Sequence, residues 1–214
     1  MEVPSPLNKE QIFKIYEQMG KCVCLINVNG DCQGTGFFCN IPFNKEKQLL
    51  PVLVTCNYII GEEILKENNI ISISFFDKKE IRNIECKNRL IYTNKEYDVT
   101  LIEIKPNIDK ICNFLELDEN IFKEDKENIF IKKSVYLLHY PQSKCSSVSF
   151  GIIKNIQDYK IHYNCVTFDG SGGGPILSME TFKVIGLHEG SARPFLYKNG
   201  KFLDNPINEF KKSV

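Results

Sequence analysis

Short strand patterns separated by turn residues fill most of this 214-residue chain, and they limit its fold more than any other feature. In the first half they cover 22–28, 34–39, 50–56, 70–76, 81–84 and 99–104. In the second half they cover 134–140, 146–153, 161–168, 176–178, 183–188 and a segment around 195–197. No stretch shows the strand–helix–strand rhythm of a parallel sheet. The sequence therefore predicts an all-β fold of the barrel or sandwich class.

Helical periodicity and a charged connector divide the chain into four segments. Residues 1–20 are a predicted N-terminal arm, with a helix over 6–20 that Asn8 caps. Residues 21–106 are a first β unit, and residues 107–133 are a connector with a short helix near 108–114. Residues 134–214 are a second β unit that ends in a predicted helix over 205–212. On the arm, the residues that share one face at helical spacing are Ile12, Ile15, Tyr16 and Met19.

The charge balance and the cysteines indicate a cytoplasmic protein that binds neither nucleic acid nor membranes. Lys and Arg total 27 and so do Asp and Glu, so net charge selects no anionic partner. No apolar run reaches the roughly 18 residues of a membrane span, and residues 1–6 have no signal-peptide pattern. We expect the nine cysteines to be reduced thiols. The heavy use of Lys, Asn and Ile indicates an AT-rich genome, such as that of a protist.

The segment Thr167–Ile176 carries the most specific motif, Gly-Ser-Gly-Gly-Gly-Pro. It resembles the nucleophile loop of trypsin-like (chymotrypsin-fold) serine proteases, in which a serine stands three residues before the proline. Gly172 holds that place here, three residues before Pro175. Glycine has no side chain, so it can neither attack a carbonyl group nor pass a proton to a base. The motif thus predicts the loop of a protease without its nucleophile.

Two more segments support this resemblance, which extends over residues 21–210. They are Gly-Thr-Gly-Phe-Phe at 34–38 and Val-Ile-Gly-Leu-His at 184–188. The resemblance implies two six-stranded antiparallel β-barrels, with the catalytic residues in the order His, Asp, Ser. The two β units are then the two barrels, and the helices at either end are additions to them.

The histidine and aspartate positions of the family align with Tyr58 and Asp98. In active relatives a histidine follows the Val-Thr that ends a strand, and aligning on Val54 and Thr55 puts Tyr58 there. A tyrosine, with its pKa near 10, is a poor base at neutral pH, so we expect it to plug the cleft. Asp98 begins an Asp-Val-Thr-Leu segment typical of the family and is therefore retained. A buried carboxylate must find hydrogen-bond donors in any protein, so its retention requires no catalytic role.

A one-residue shift of the loop would make Ser171 a fallback nucleophile. We expect Ser171 to lack a histidine even then, because no histidine lies in the first barrel. His139, His162 and His188 all fall in the second barrel, where His162 or His188 is either structural or a wall residue for an acidic peptide side chain. Cys56 and Cys165 lie near the aligned positions but are expected to be small buried residues.

The resemblance also implies that the backbone amides of Gly170 and Gly172 remain as the remnant of an oxyanion hole. No cofactor and no metal are expected, because the Cys22-x-Cys24 pair has no second Cys or His pair at the spacing of a zinc site.

The sequence therefore predicts a catalytically inactive protease homologue, a pseudoprotease. Its role would be that of a protein-binding or structural component, with a cytoskeletal or ciliary assembly as one setting. The alternative is an active intracellular serine endopeptidase with an atypical site.

Overall fold

The computed structural model describes residues 4, 6–28, 30–43, 48–67, 70–75, 80–190 and 197–213. Its helices are α1 (Lys9–Cys22), α2 (Glu62–Glu67), α3 (Pro106–Asp109), α4 (Lys126–Phe130) and α5 (Asp204–Ser213). The strands of the first half are β1 (Val23–Val28), β2 (Asp31–Pro42), β3 (Leu49–Thr55), β4 (Ile70–Phe75), β5 (Glu80–Glu85), β6 (Ile91–Asn94), β7 (Val99–Glu103) and β8 (Leu115–Glu116). Those of the second half are β9 (Ser134–His139), β10 (Ser147–Gln157), β11 (Lys160–Tyr163), β12 (Pro175–Ser178), β13 (Val184–His188) and β14 (Lys198–Phe202). The all-β prediction is confirmed. The predicted strand around 195–197 falls largely on residues outside the described ranges.

The first half forms one curved sheet in the order β5-β4-β1-β2-β3-β7-β6, and β8 pairs in parallel with β2. It therefore differs from the expected six antiparallel strands. Strand β1 ends its pairing with β2 at Phe37, because the chain before Val23 is helical. Beyond that point β2 has backbone groups free on this side, and β8 satisfies them by pairing Leu115 with Cys39.

The second half is a closed barrel of six strands in the order β10-β11-β14-β13-β12-β9, as predicted. Its strands bury apolar side chains on long stretches, and every residue of β12 and β13 is buried. The loop that carries Gly172 enters this barrel directly before β12. Its far end is thus anchored to a strand that is held between β9 and β13.

The connector differs from its prediction. Instead of a helix near 108–114, α3 ends at Asp109, and Lys110 follows with a φ of 56°. The Asp109 carboxylate accepts two hydrogen bonds of 2.7 Å from the buried Arg89 guanidinium and one from the Lys105 N–H. These contacts fix the first turn and direct the chain towards β8. The predicted division into four segments stays a prediction.

The two terminal helices each pack across onto the other half. Asn8 caps α1 as predicted, in a capping box with Gln11. From α1, the Gln18 side chain donates to the Phe182 carbonyl of the second half at 2.9 Å and accepts from the Tyr136 hydroxyl. From α5, Glu209 accepts a hydrogen bond from Tyr92 of β6. Within the described residues, no helix is both long and apolar enough to span a lipid bilayer.

Candidate functional site

The structure brings Tyr58, Asp98 and Gly172 to one place between the two halves. Tyr58 lies in the turn after β3, and Asp98 lies directly before β7. These strands are neighbours with Thr55 opposite Thr100, so the two turns meet at the same end of the sheet. There the Tyr58 N–H donates a 3.0 Å hydrogen bond to the Asp98 carboxylate.

The Tyr58 side chain reaches across to the glycine loop of the second half. A Cβ atom built on Gly172 would lie well inside 3.0 Å of the Tyr58 hydroxyl oxygen and 2.9 Å from the ring carbon Cζ. A Cβ on Gly190 would lie 2.5 Å from the same hydroxyl. The phenol end therefore sits between two glycines, in the space that a side chain at position 172 would need. Tyr58 as a whole is nevertheless 55% exposed.

The electrostatics of this position keep Tyr58 neutral. Burial of the hydroxyl raises the pKa of Tyr58, and the nearby Cys56, Asp98 and Asp169 raise it further. Burial also raises the pKa of Asp98, although the Tyr58 N–H opposes this by stabilising the carboxylate. A protonated phenol can donate a hydrogen bond but cannot accept a proton from a nucleophile at neutral pH.

The glycine loop is fixed to the first half through Thr35. The Thr35 N–H donates to the Gly172 carbonyl and the Thr35 hydroxyl donates to the Gly170 carbonyl, both at 2.8 Å. Gly170 and Gly173 have φ values of 82° and 85°, in the left-handed region that favours glycine. The loop thus keeps one defined path in spite of its glycine content.

The N–H groups of Gly170 and Gly172 have no acceptor among the described residues. The Asp169 carbonyl accepts from the Gln142 N–H at 2.5 Å, and the Ser171 carbonyl accepts from the Gly174 N–H at 3.2 Å. In a trans peptide the N–H points away from the carbonyl of the same unit, so both free N–H groups point away from these donors. Both glycines line a cavity of about 330 Å³, together with Gln33, Tyr58, Phe168, Asp169 and Gly190. The two amides that the resemblance assigned to an oxyanion hole are therefore unpaired beside an open cleft.

The expectation that Ser171 would lack a histidine is wrong. The Ser171 Oγ lies 2.7 Å from Nδ1 of His139, and the Phe168 N–H donates to the same oxygen at 3.0 Å. Both residues belong to the second half, and their exposed fractions are 0% for Ser171 and 1% for His139. The pair lies inside the barrel under the loop and not at the surface of the cleft. Sequence alternation could not reveal it, because residues 135–139 of β9 are all buried and the strand shows no exposed face.

The other two histidines are held by the barrel. Nδ1 of His188 lies 2.7 Å from the Tyr163 hydroxyl and 3.1 Å from the Asn199 carbonyl, and the residue is buried. Nδ1 of His162 lies 2.9 Å from the Asn199 side chain. Neither contributes to the cavity beside Tyr58, so these contacts support the structural reading of both histidines.

The two cysteines that were candidate nucleophiles are buried. The Cys56 thiol donates to the His188 carbonyl, and the Cys165 thiol donates to the Ser149 carbonyl, both at 3.4 Å. Burial raises the pKa of both thiols, and the charge of Asp98 raises that of Cys56 further. Within the described ranges, no group of three His, Cys, Asp or Glu residues is arranged to hold a metal ion.

Comparison with known proteins places this geometry in a family. Residues 34–187 match the model of the trypsin-like peptidase domain. The fold is similar to that of a serine endoprotease from Yersinia pestis, with a TM-score of 0.67 and 12% identity over 97% of this chain and 68% of that one. The fold is also similar to that of Deg5, with a TM-score of 0.65 and 15% identity over 94% of each chain. The inactive form of the Rv3671c protease is similar with a TM-score of 0.66 and 14% identity over 100% of this chain and 99% of that one. No curated protein matches the sequence.

Proposed function

This chain belongs to the trypsin-like peptidase family, and we propose that it is a catalytically inactive member that acts by binding other proteins. The observation that carries the proposal is the position of the Tyr58 hydroxyl beside Gly172. The aligned nucleophile has no side chain, and the aligned base is a phenol that fills the space where such a side chain would stand. Both chemical roles are therefore lost at one point of contact.

Two surfaces support a binding role. The first is the cleft beside the glycine loop, where Tyr58 and Phe168 line the cavity and each is more than half exposed. The second is the outer face of α1, where Ile12, Phe13 and Tyr16 are equally exposed while Ile15 is buried against the core. Exposed apolar groups of this kind are typical of protein contact sites. A structural place in a larger assembly, such as a cytoskeletal or ciliary lattice, is one setting for these contacts.

A second candidate function is that of a serine endopeptidase that uses Ser171. The 2.7 Å distance between Ser171 Oγ and His139 Nδ1 favours it, because this is the spacing of a nucleophile and its base. Three observations oppose it. Neither side chain is accessible. Burial lowers the pKa of His139 to about 4, which makes it a weak base. Its other nitrogen faces the Ser149 hydroxyl at 3.0 Å and not a carboxylate.

The two candidates differ in their reaction with a fluorophosphonate probe, which labels activated serines. We expect no labelling and no cleavage of a mixed peptide library by the purified wild-type chain. An active serine protease treated in parallel shows that the reagents work, and the Ser171→Ala variant shows the background. Wild-type labelling at Ser171 that disappears in Ser171→Ala would replace the proposal by the peptidase. For the binding role, pull-down with the wild type is compared with Phe13→Asp and Phe168→Asp, each of which charges one of the two surfaces.

A further inference from the structure

The contacts around the buried Ser171 form one continuous chain of hydrogen bonds under the glycine loop. The chain begins at the Phe168 N–H, passes through the Ser171 hydroxyl and the His139 ring, and ends at the Ser149 hydroxyl of β10. The three side-chain links measure 3.0, 2.7 and 3.0 Å. It connects the loop to two adjacent strands of the closed barrel, because Ser149 pairs with Leu137 across β9 and β10.

The donors and acceptors of this chain favour one arrangement of protons, in which the hydroxyl proton of the buried Ser171 has an acceptor. The Ser171 oxygen accepts from the Phe168 N–H, so its own proton is free to go to Nδ1 of His139. A neutral imidazole that accepts at Nδ1 carries its proton on Nε2, and Nε2 then donates to the Ser149 oxygen. Burial favours this neutral ring, since it lowers the pKa of His139 to about 4.

The same chain determines where the loop peptides point. Ser171 stands between Gly170 and Gly172, and its own N–H donates to the Phe168 carbonyl at 3.1 Å. Together with the bond from the Phe168 N–H to Ser171 Oγ, this closes a small turn on both sides of Phe168. The two peptide units that carry the free N–H groups are attached to Ser171 or precede it by one residue. Their direction depends on how firmly Ser171 is held.

We propose that Ser171 and His139 are positioning residues, which hold the Gly170 and Gly172 amides towards the cleft in the absence of a nucleophile. The barrel thus supports an open pair of donors from below, through the serine that directly precedes the aligned nucleophile position. This role does not depend on whether the protein binds partners. It requires only that Ser171 stays buried and paired with a neutral His139.

The first test uses the wild type and no variant. In ¹⁵N NMR spectra at pH 7, His139 is expected to show the tautomer with its proton on Nε2 and no titration between pH 7.5 and 5.5. A ring that titrates in this range, or that carries its proton on Nδ1, would overturn the proposal. A residue that only fills space would not fix one tautomer.

The second test compares Ser171→Ala with Ser178→Ala. Ser178 is also a buried serine of this barrel, and its hydroxyl accepts the Glu180 N–H at 3.2 Å, so both variants remove the same kind of group. We expect Ser171→Ala to speed hydrogen exchange of the Phe168 amide about tenfold, as the loss of one buried hydrogen bond implies. It should also shift the amide signals of Gly170 and Gly172. Ser178→Ala should change neither. Equal effects of both variants, or no effect of Ser171→Ala, would contradict the positioning role.

Discussion

The Tyr58 hydroxyl occupies the space into which a side chain at Gly172 would project. A Cβ at Gly172 would also lie 3.2 Å from the Gly190 Cα, so backbone as well as the phenol crowds this position. Each residue therefore makes the other possible: the phenol fits because position 172 is glycine, and a serine at 172 would need a smaller residue at 58. The two departures from the family pattern form a single packing arrangement.

This arrangement predicts strong coupling between substitutions at the two positions. Gly172→Ser alone should lower the free energy of unfolding by about 1–3 kcal/mol, the usual cost of overpacking. In a Tyr58→Ala background the same change should cost at least about 1 kcal/mol less. Urea unfolding of the four proteins measures the difference. Tyr58→Phe is the control, because it removes the hydroxyl but keeps Cζ at 2.9 Å and should relieve less of the clash. Additive effects at 58 and 172 would show that the two side chains do not share the space.

Two buried histidines predict that the fold loses stability in acid. Burial lowers the pKa of His139 to about 4 and that of His188 to about 3, from an ordinary value of 6.5. Above pH 6.5 both are neutral in the folded and unfolded chain. Below it the unfolded chain takes up protons that the folded chain does not, so stability falls towards pH 4. The lowered pKa of His139 alone corresponds to a loss of about 3 kcal/mol in the free energy of unfolding.

Urea unfolding between pH 7.5 and 4.5 measures this loss. The free energy of unfolding should fall less steeply with decreasing pH in His139→Gln, because this variant has no titrating ring at position 139. A stability that does not change between pH 6.5 and 4.5 in the wild type would contradict the prediction.

Tyr58, Asp98 and Gly172 lie close together in the structure because each of them lies near the end of a strand. Val54 and Thr55 fix the end of β3, and Asp98 comes directly before β7, so neighbouring strands bring their turns together once the sheet forms. The loop motif then placed Gly172 by its distance from Pro175. Spacing along the chain was enough for Tyr58, Asp98 and Gly172, since each follows from strand order and not from side-chain direction.

Spacing was not enough for contacts made within buried strands. The pairing of His139 with Ser171 depends on which face of β9 the ring lies on, and a strand buried on both faces gives no pattern to indicate this. The helix predicted near 108–114 was wrong because Arg89, which lies far away in the sequence, binds Asp109 and ends α3 there. A local pattern cannot show such a partner.

The buried thiols predict a selective cysteine reactivity. Cys112 and Cys145 are exposed, whereas Cys56 is buried beside Asp98 and has a raised pKa. Because thiolates react and thiols do not, N-ethylmaleimide at pH 7 should label Cys112 and Cys145 in the folded protein and Cys56 only in urea. Peptide mapping by mass spectrometry identifies the labelled positions. Labelling of folded Cys56 at the rate of Cys112 would mean that the site is open and that Cys56 is a reactive group.

The contacts of Thr35 predict that its hydroxyl stabilises the junction of the two halves. It donates to the Gly170 carbonyl at 2.8 Å and accepts from the Tyr140 N–H at 3.0 Å, and both partners belong to the second half. Thr35→Val keeps the shape but removes both hydrogen bonds of this hydroxyl, which should cost about 2–4 kcal/mol. Thr55→Val is the matched control, because the Thr55 hydroxyl donates one bond, to the Thr35 carbonyl at 2.9 Å. The Thr55→Val substitution should cost roughly half as much.

Urea unfolding gives both values, and hydrogen exchange at Tyr140 and Ser171 should increase only in Thr35→Val. Equal costs for the two variants, with no local increase in exchange, would show that the junction does not depend on this hydroxyl.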